Sequence, residues 1–470
     1  MIPRPISYRA EYTADGITER RVITARREFG LDFMAPQNYF FAGLPPRLVD
    51  LLRIGETIYA VDRLVRRRRG PSQSWSRDLN LRVGVLDPDF WAAAETLGAL
   101  QDTIEFVTGD TWAFEFFRGS RQYEWMCPLL SEVFAKESPL VCLYSGGLDS
   151  VAGLALRLRE CPDRLVLPVT IKRLPRQDML VNEQFKLLSD RRGAKIEPLI
   201  ITVMMNQPAG LTWARRERSQ RGQSFLFAAA GAVAAALTGQ SSVEVFESGI
   251  GSVNIPLMAG MVGSMATRGC HPEFLRRMSC LVSLVTGRQM NFRLPFFDFT
   301  KGEMVRALND SGLADMAGAT VSWARFPVGY HPYQQCGICP ACVFRRQAIQ
   351  VAEIDEPEGL YTFDLFGPAA EVNRIPPDKL NYLKAFLMQV AGWADIETTG
   401  RLPAPVERHL RRTRVLKLSD SPQPIIDLLA RHRDEWELIA AEGREKGYRW
   451  ARLLAPASGF VGQGANYAST

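Results

Sequence analysis

The six residues Ser145-Gly146-Gly147-Leu148-Asp149-Ser150 follow the apolar run Leu140–Tyr144 and precede a helix-like pattern. Two glycines at a strand-to-helix reversal let several backbone N–H groups converge on one point at the N-terminus of the helix, where the macrodipole adds positive potential. Ser145 and Ser150 add hydroxyl donors, and Asp149 can cap the helix or help to hold Mg²⁺. Such a turn is suited to holding an anion, and phosphate is the anion expected. A capped turn without a ligand would account for a bare Gly-Gly pair, but six matched positions behind a buried strand favour phosphate.

A second constellation is Cys336, Cys339 and Cys342, two C-x-x-C steps that share a cysteine. Three thiolates at this spacing can converge on one ion, with Gly337 permitting the tight turn, and a structural zinc takes four ligands. His331, five residues upstream of Cys336, is the nearest fourth candidate, and Cys270 or Cys280 can arrive through space. Three unligated cysteines packed in a core are the bland reading. A three-cysteine [4Fe–4S] cluster is the rival metal reading, although Arg346 stands where the fourth cysteine of a ferredoxin run would be. The other five of the eight cysteines are scattered, which suits a reducing compartment rather than a disulfide framework. Near "ESGIGSVNIPL", which ends an apolar run, Glu247, Asn254, Thr267, Arg268 and His271 can line a pocket beside the glycine turn. For His271, loop packing and a functional role weigh about equally.

The pattern G-x-x-x-x-G-K-[ST] of P-loop ATPases is absent. The hexapeptide instead resembles the S-G-G-x-D-S signature of the PP-loop, or N-type, ATP pyrophosphatases. That resemblance implies cleavage of ATP between the α and β phosphates, AMP transfer to a substrate oxygen and pyrophosphate left in the cradle. "PFFDFTKGEMVRAL" (295–308) is similar to the P-L-x-x-x-T-K-x-E-[IV] segment of the QueC family, the 7-cyano-7-deazaguanine synthases, and puts Lys301 in the place of its phosphate-facing lysine. Alone, Lys301 reads as a solvated lysine at a helix start. "CGICPACVFRRQA" resembles the C-G-x-C-x-x-C-x-x-R zinc segment of the same family. The three elements keep the family's order over roughly residues 139–348. The resemblance assigns Ser145, Asp149, Ser150 and Lys301 to catalysis, and the whole hexapeptide and Lys301 to ATP; Arg221 is a further candidate for ATP.

The departures from QueC are specific. Its P-G-R-N substrate segment is replaced by "RERSQRGQSFLF", where Arg218, Arg221 and Ser224 stand near the place without aligning, and its G-Y-P-D-C-R segment by "MATRGCHPEFL". The S-C pair that carries its fourth zinc ligand reads Ser322-Trp323 here. With the added N-terminal and C-terminal regions, the chain resembles the QueC-like proteins of bacterial anti-phage systems, the QatC-like and type IV CBASS branch. This implies a 7-deazaguanine acid activated as its adenylate and passed to an amine, which in that branch can belong to a partner protein encoded in a defence operon. The resemblance implies ATP, Mg²⁺ and zinc as cofactors. A PP-loop tRNA sulfur transferase and a non-catalytic nucleotide-binding component of a defence complex are the alternative functions.

The elements that must position these residues follow from the pattern of apolar runs. "LVCLY", "RLVLPVTIK", "AKIEPLIITV" and "SVEVF" alternate with helix-like segments, which predicts an α/β fold built on a doubly wound parallel sheet of the adenine nucleotide alpha hydrolase-like, PP-loop kind. Ligands of such sheets lie at the carboxyl ends of the strands. Residues 1–135 read as a β-rich accessory domain, with "ETIYAVDRLVR" and "LNLRVGVL" as strands around the polar tip "RRRRGPSQSWS" and an amphipathic helix near "DPDFWAAAETLGALQDTIEFV". The tip, Arg66 to Arg69 included, reads as a solvated turn rather than a nucleic-acid contact. Residues 136–330 then form the nucleotide domain, and 331–470 a zinc knuckle with helices and a loose tail. The chain of 470 residues carries 46% hydrophobic and 23% charged residues and a formal charge of +6. This composition is that of a folded globular protein and gives no sign of a dedicated nucleic-acid binder. "MIPRPISYRAEYTADGITERR" has no apolar signal core, and the longest apolar run, Phe225–Leu237, is short for a bilayer, so a cytoplasmic protein without a membrane partner is expected. A homodimer is the simplest assembly.

Overall fold

The computed structural model describes residues 9–14, 21–24, 29–34, 42–67, 76–119, 126–127, 137–172, 175–205, 217, 219, 221–257, 268–321, 334–417 and 419–454. In chain order its strands are β1 (Arg9–Ala14), β2 (Arg21–Thr24), β3 (Phe29–Met34), β4 (Ala42–Gly43), β5 (Asp78–Val85), β6 (Thr111–Arg118), β7 (Met126–Cys127), β8 (Leu140–Leu143), β9 (Val166–Lys172), β10 (Leu199–Met205), β11 (Ser242–Val245) and β12 (Asn291–Arg293). Two compact units emerge. The first takes Met1–Gly146, Gly153–Glu247 and Gly260–Phe296, and the second Gly147–Ala152, Ser248–Ala259 and Phe297–Thr470.

In the first unit six strands form a sheet in the order β12-β11-β8-β9-β10-β3. All neighbours pair in parallel except β10 with β3, which run antiparallel with Ile201 opposite Phe33. The chain leaves β8 in one direction through β9 and β10 and later returns to its other side as β11 and β12. β8 therefore lies at the topological switch point, and its carboxyl end is the position at which such sheets take ligands. Every residue of β8 and β9 is buried. Strands covered on both faces need continuous apolar sequence rather than alternation, which is why "LVCL" and "VLPVTIK" were legible. The helix Gly222–Leu237 packs on β8, β9 and β11, and its alanines allow the close approach.

The amino-terminal strands differ from the expected hairpin arrangement. A second sheet has the order β2-β1-β5-β6, with β5 and β6 parallel and joined through the helix Ala94–Thr108. "ETIYAVDRL", read from the sequence as a strand, lies in the helix Pro46–Leu64. Nearly every residue of that helix is buried, so the 3.6-residue alternation that marks a surface helix is missing. The compact units also cut across the segment boundaries drawn at 135/136 and 330/331, because β3 pairs with β10 and Phe297–Val321 packs with the cysteine segment.

The second unit is helical among its described residues. Helices Lys301–Asp310, Pro340–Val351, Asn381–Ala391, Ala404–Arg412 and Gln423–Glu445 surround a core of Val343, Val351, Leu387, Ile426, Trp436 and Ile439. No helix of the described residues is long and apolar enough to cross a membrane.

Candidate functional site

The turn after β8 is shaped by groups beneath it. Gly146 has φ of 75°, and a Cβ there would lie 3.0 Å from Val181 Cγ2. Both facts restrict the position to glycine. Gln184 Nε2 donates to Gly146 O at 3.1 Å, while Gln184 Oε1 accepts from the Tyr144 hydroxyl at 2.8 Å. Tyr144 and Gln184 are fully buried, so this bond pair holds the carbonyl of Gly146 down and fixes the peptide plane that follows. Burial pushes the Tyr144 hydroxyl well above the usual tyrosine range, and it stays a proton donor. Ser145 is half-buried.

In the second unit the helix Leu148–Glu160 begins with Val151 N donating to Gly147 O at 3.1 Å; its first turn carries Leu148 and Ser150 buried and Asp149 half-buried. Lys301 Nζ donates to Asp149 Oδ2 in a short ion pair and lies 4.9 Å from the centroid of the Phe344 ring. Asp149 Oδ1 is buried without a hydrogen-bond partner among the described residues. Lys301 is the first residue of its own helix, whose start is fixed by a capping box. Thr300 Oγ1 accepts from Glu303 N at 3.1 Å, and Glu303 Oε2 accepts from Thr300 N at 2.8 Å. A buried cation at a helix N-terminus opposes the macrodipole. Its position is therefore set by an anion, here Asp149. The solvated reading of Lys301 is corrected: it is 6% exposed.

The same unit contains the cysteine cluster. The Sγ atoms of Cys336, Cys339 and Cys342 lie within 4.8 Å of one another, and all three residues are buried. Gly337 has φ of 77°, and a Cβ there would lie 1.8 Å from Phe363 O. Cys339 is the N-cap of the Pro340–Val351 helix, which delivers Cys342 on its first turn. The thiols of Cys339 and Cys342, with the N–H groups of Ile338 and Cys339, hold the Cys336 sulfur far below the usual thiol range. A buried trio of sulfurs with one stabilised as thiolate fits a soft metal ion such as zinc. His331 lies outside the described residues, and within them these three residues make up the group. Arg346, at the ferredoxin run's fourth place, is bound to Glu356 at 2.6 Å and Asp364 at 2.7 Å.

The remaining candidates separate. In the first unit, His271 is buried and caps the Pro272–Thr286 helix through Nδ1, which accepts from Glu273 N at 3.1 Å, and its ring packs on Phe106. Arg268 donates to Phe106 O at 2.9 Å. Ser224 packs against Gly269, where a Cβ would lie 2.2 Å from Ser224 Oγ. Glu247 is half-buried after β11. Arg221 is buried at the start of the Gly222–Leu237 helix; burial, with Arg67 and Arg268 beside it, lowers its pKa to about 10. In the second unit, Asn254 ends the short helix Gly249–Val253 in a left-handed conformation. Arg218 and Thr267 lie outside the described residues. The tip expected to be solvated is partly the reverse. Arg66 is exposed, but Arg67 is buried and bidentate on Asp110 at 2.5 and 2.7 Å, next to Arg77 on Asp62 and Asp110.

Sequence reasoning missed Gln184, Phe344 and the partners of the capping box. The box itself was visible as Thr300-x-x-Glu303. A lone buried glutamine or phenylalanine has no sequence signal.

Two comparisons bear on this arrangement. The sequence model of QueC, the queuosine biosynthesis protein, matches residues 259–353, which include Lys301 and the three cysteines. A 7-cyano-7-deazaguanine synthase of Methylococcus capsulatus is 27% identical over 113 residues, 23% of this chain and 48% of that enzyme. The chain thus spans about half the length of the curated relative it matches.

Proposed function

We propose that this protein is an ATP-dependent QueC-like ligase. It adenylates a 7-deazaguanine carboxylic acid and transfers the acyl group to an amine. The observation that carries the reading is the pairing of Lys301 with Asp149 on the first turn of the helix that closes the Ser145–Ser150 signature. In this reading Gly146, Gly147, Leu148 and Ser150 present N–H and hydroxyl donors to the pyrophosphate, and Lys301 turns from Asp149 to the phosphate oxygens. The open Oδ1 of Asp149 fits a hard cation. Mg²⁺ held there would neutralise phosphate charge. The substrate carboxylate oxygen attacks the α phosphorus, the bond from that phosphorus to the bridging oxygen breaks, and pyrophosphate leaves. An amine nitrogen then attacks the acyl carbon, AMP leaves with the carboxylate oxygen, and the nitrogen loses a proton.

The acceptor in this reading is the N-terminal amine of a partner protein in anti-phage defence, because the segments that differ from QueC are those that would meet the acid and its acceptor. Incubation with ATP and the acid should release AMP and pyrophosphate. ADP and orthophosphate would overturn the reading. Intact-mass analysis of the partner protein from the same operon then decides the acceptor: a mass increase of the acyl group supports it, and free nitrile formed from ammonia replaces it with plain QueC chemistry.

A further inference from the structure

The carboxyl-terminal helix reaches the lysine turn with one face. Arg431 Nε donates to Glu303 Oε1 at 2.8 Å, and its Nη2 donates to Asp298 O. One turn later Glu435 Oε1 accepts from the Thr300 hydroxyl in a short bond, while Glu435 Oε2 accepts from Gln347 Nε2 at 2.7 Å. Each side chain of the capping box that starts the Lys301 helix is therefore held from outside by one residue of Gln423–Glu445. Leu428, on the same face, lies against Gly249, where a Cβ would be 2.6 Å from its Cδ2. A Cβ on Gly302 would lie 2.4 Å from Glu435 Oε1, so the approach is as close as the chain permits. His432 Nδ1 faces Glu435 Oε2 at 3.3 Å, and its Nε2 accepts from Trp436 Nε1 at 3.2 Å, which orients the carboxylate in turn.

These contacts exceed what helix capping needs. The Thr300–Glu303 box is complete without Arg431 or Glu435. What they add is a fixed direction for the first turn, and the side chain leaving that turn is Lys301. We propose that Arg431 and Glu435 are positioning residues: they aim Lys301 at the phosphate site, and the carboxyl-terminal helix is an internal part of the catalytic apparatus. The proposal rests on Lys301 being the phosphate-facing lysine.

The test is competitive trace labelling of the full-length protein with acetic anhydride, read by mass spectrometry, alongside AMP release. In Glu435→Gln, Lys301 should label about tenfold faster while Lys172, buried in β9, is unchanged. The turnover number should fall about tenfold with the KM for ATP within about twofold. In a Lys301→Ala background the same substitution should change turnover less than about twofold, because the effect is transmitted through the missing side chain. Arg431→Ala removes a side chain that is 42% exposed, and keeps the question decidable if Glu435→Gln does not fold. Parallel rises at Lys301 and Lys172, or rate effects of Glu435→Gln and Lys301→Ala that multiply, would overturn the proposal. Selective labelling in a protein that releases no AMP would uphold the brace and sink the adenylation reading instead.

Discussion

Asp149 and Lys301 stand 152 positions apart in sequence and share one short ion pair, although each is placed where folding alone gives little reason for it. Lys301 faces the positive end of its own helix, and Asp149 keeps one buried oxygen without a hydrogen-bond partner among the described residues. Such placement is expected of groups that exchange each other for a ligand. Asp149→Ala and Lys301→Ala should each lower AMP release by about a hundredfold, with melting temperatures within a few degrees of the parent. Gln184→Leu tests the cradle from below. It leaves the Tyr144 hydroxyl without its acceptor and should cost about 1–3 kcal/mol in denaturant unfolding as well as weakening pyrophosphate binding. Glu356 gives a control away from the site. Burial alone would raise its pKa, but Arg345 and Arg346 outweigh it and hold the carboxyl below its ordinary 4.5. Stability from this group is present above that value and is lost as pH falls through the lowered one. Glu356→Gln should cost roughly 3–5 kcal/mol at neutral pH, and the gap in melting temperature from the parent should narrow below pH 4.5. The charged and hydroxyl residues of the signature were legible because their types and order are restrictive. Gln184 and Glu435 were not, because their partners are brought together only by the fold.

At the level of elements, the turns decide which sequence signals are reliable. The strand, glycine turn and helix around residues 140–160 could be read directly, since β8 is apolar throughout and Gly146 sits where φ is positive. The Pro46–Leu64 helix could not, since burial on nearly all sides removes its periodicity. The cysteine knuckle is a second turn of the readable kind. Gly337→Ala would drive a Cβ into Phe363 O and should abolish metal retention, measured as zinc per chain by elemental analysis. The native chain should hold about one zinc and be colourless, and Cys339→Ser should lower both zinc content and melting temperature. A brown protein with stoichiometric iron would reverse that assignment. His271→Ala separates capping from chemistry. It removes the N-cap of Pro272–Thr286 and should cost about 1 kcal/mol with AMP release within twofold of the parent.

For the molecule as a whole, the cysteine knuckle and the lysine turn are parts of one packed helical unit. Phe344, two residues past Cys342, lies beneath Lys301, and Gln347 on the same helix holds Glu435. Removal of zinc by a chelator should therefore reduce AMP release before the protein unfolds globally, with far-ultraviolet circular dichroism retained at the point where activity is lost. The bond between Thr300 and Glu435 has a further consequence in time. Its partners are 135 residues apart, so the ribosome must work for on the order of ten seconds after making Thr300 before Glu435 exists. Until then Lys301 has its capping box but no brace. Under the proposed function, a nascent or prematurely terminated chain would carry the signature turn without an aimed lysine and should release AMP more slowly than the full chain.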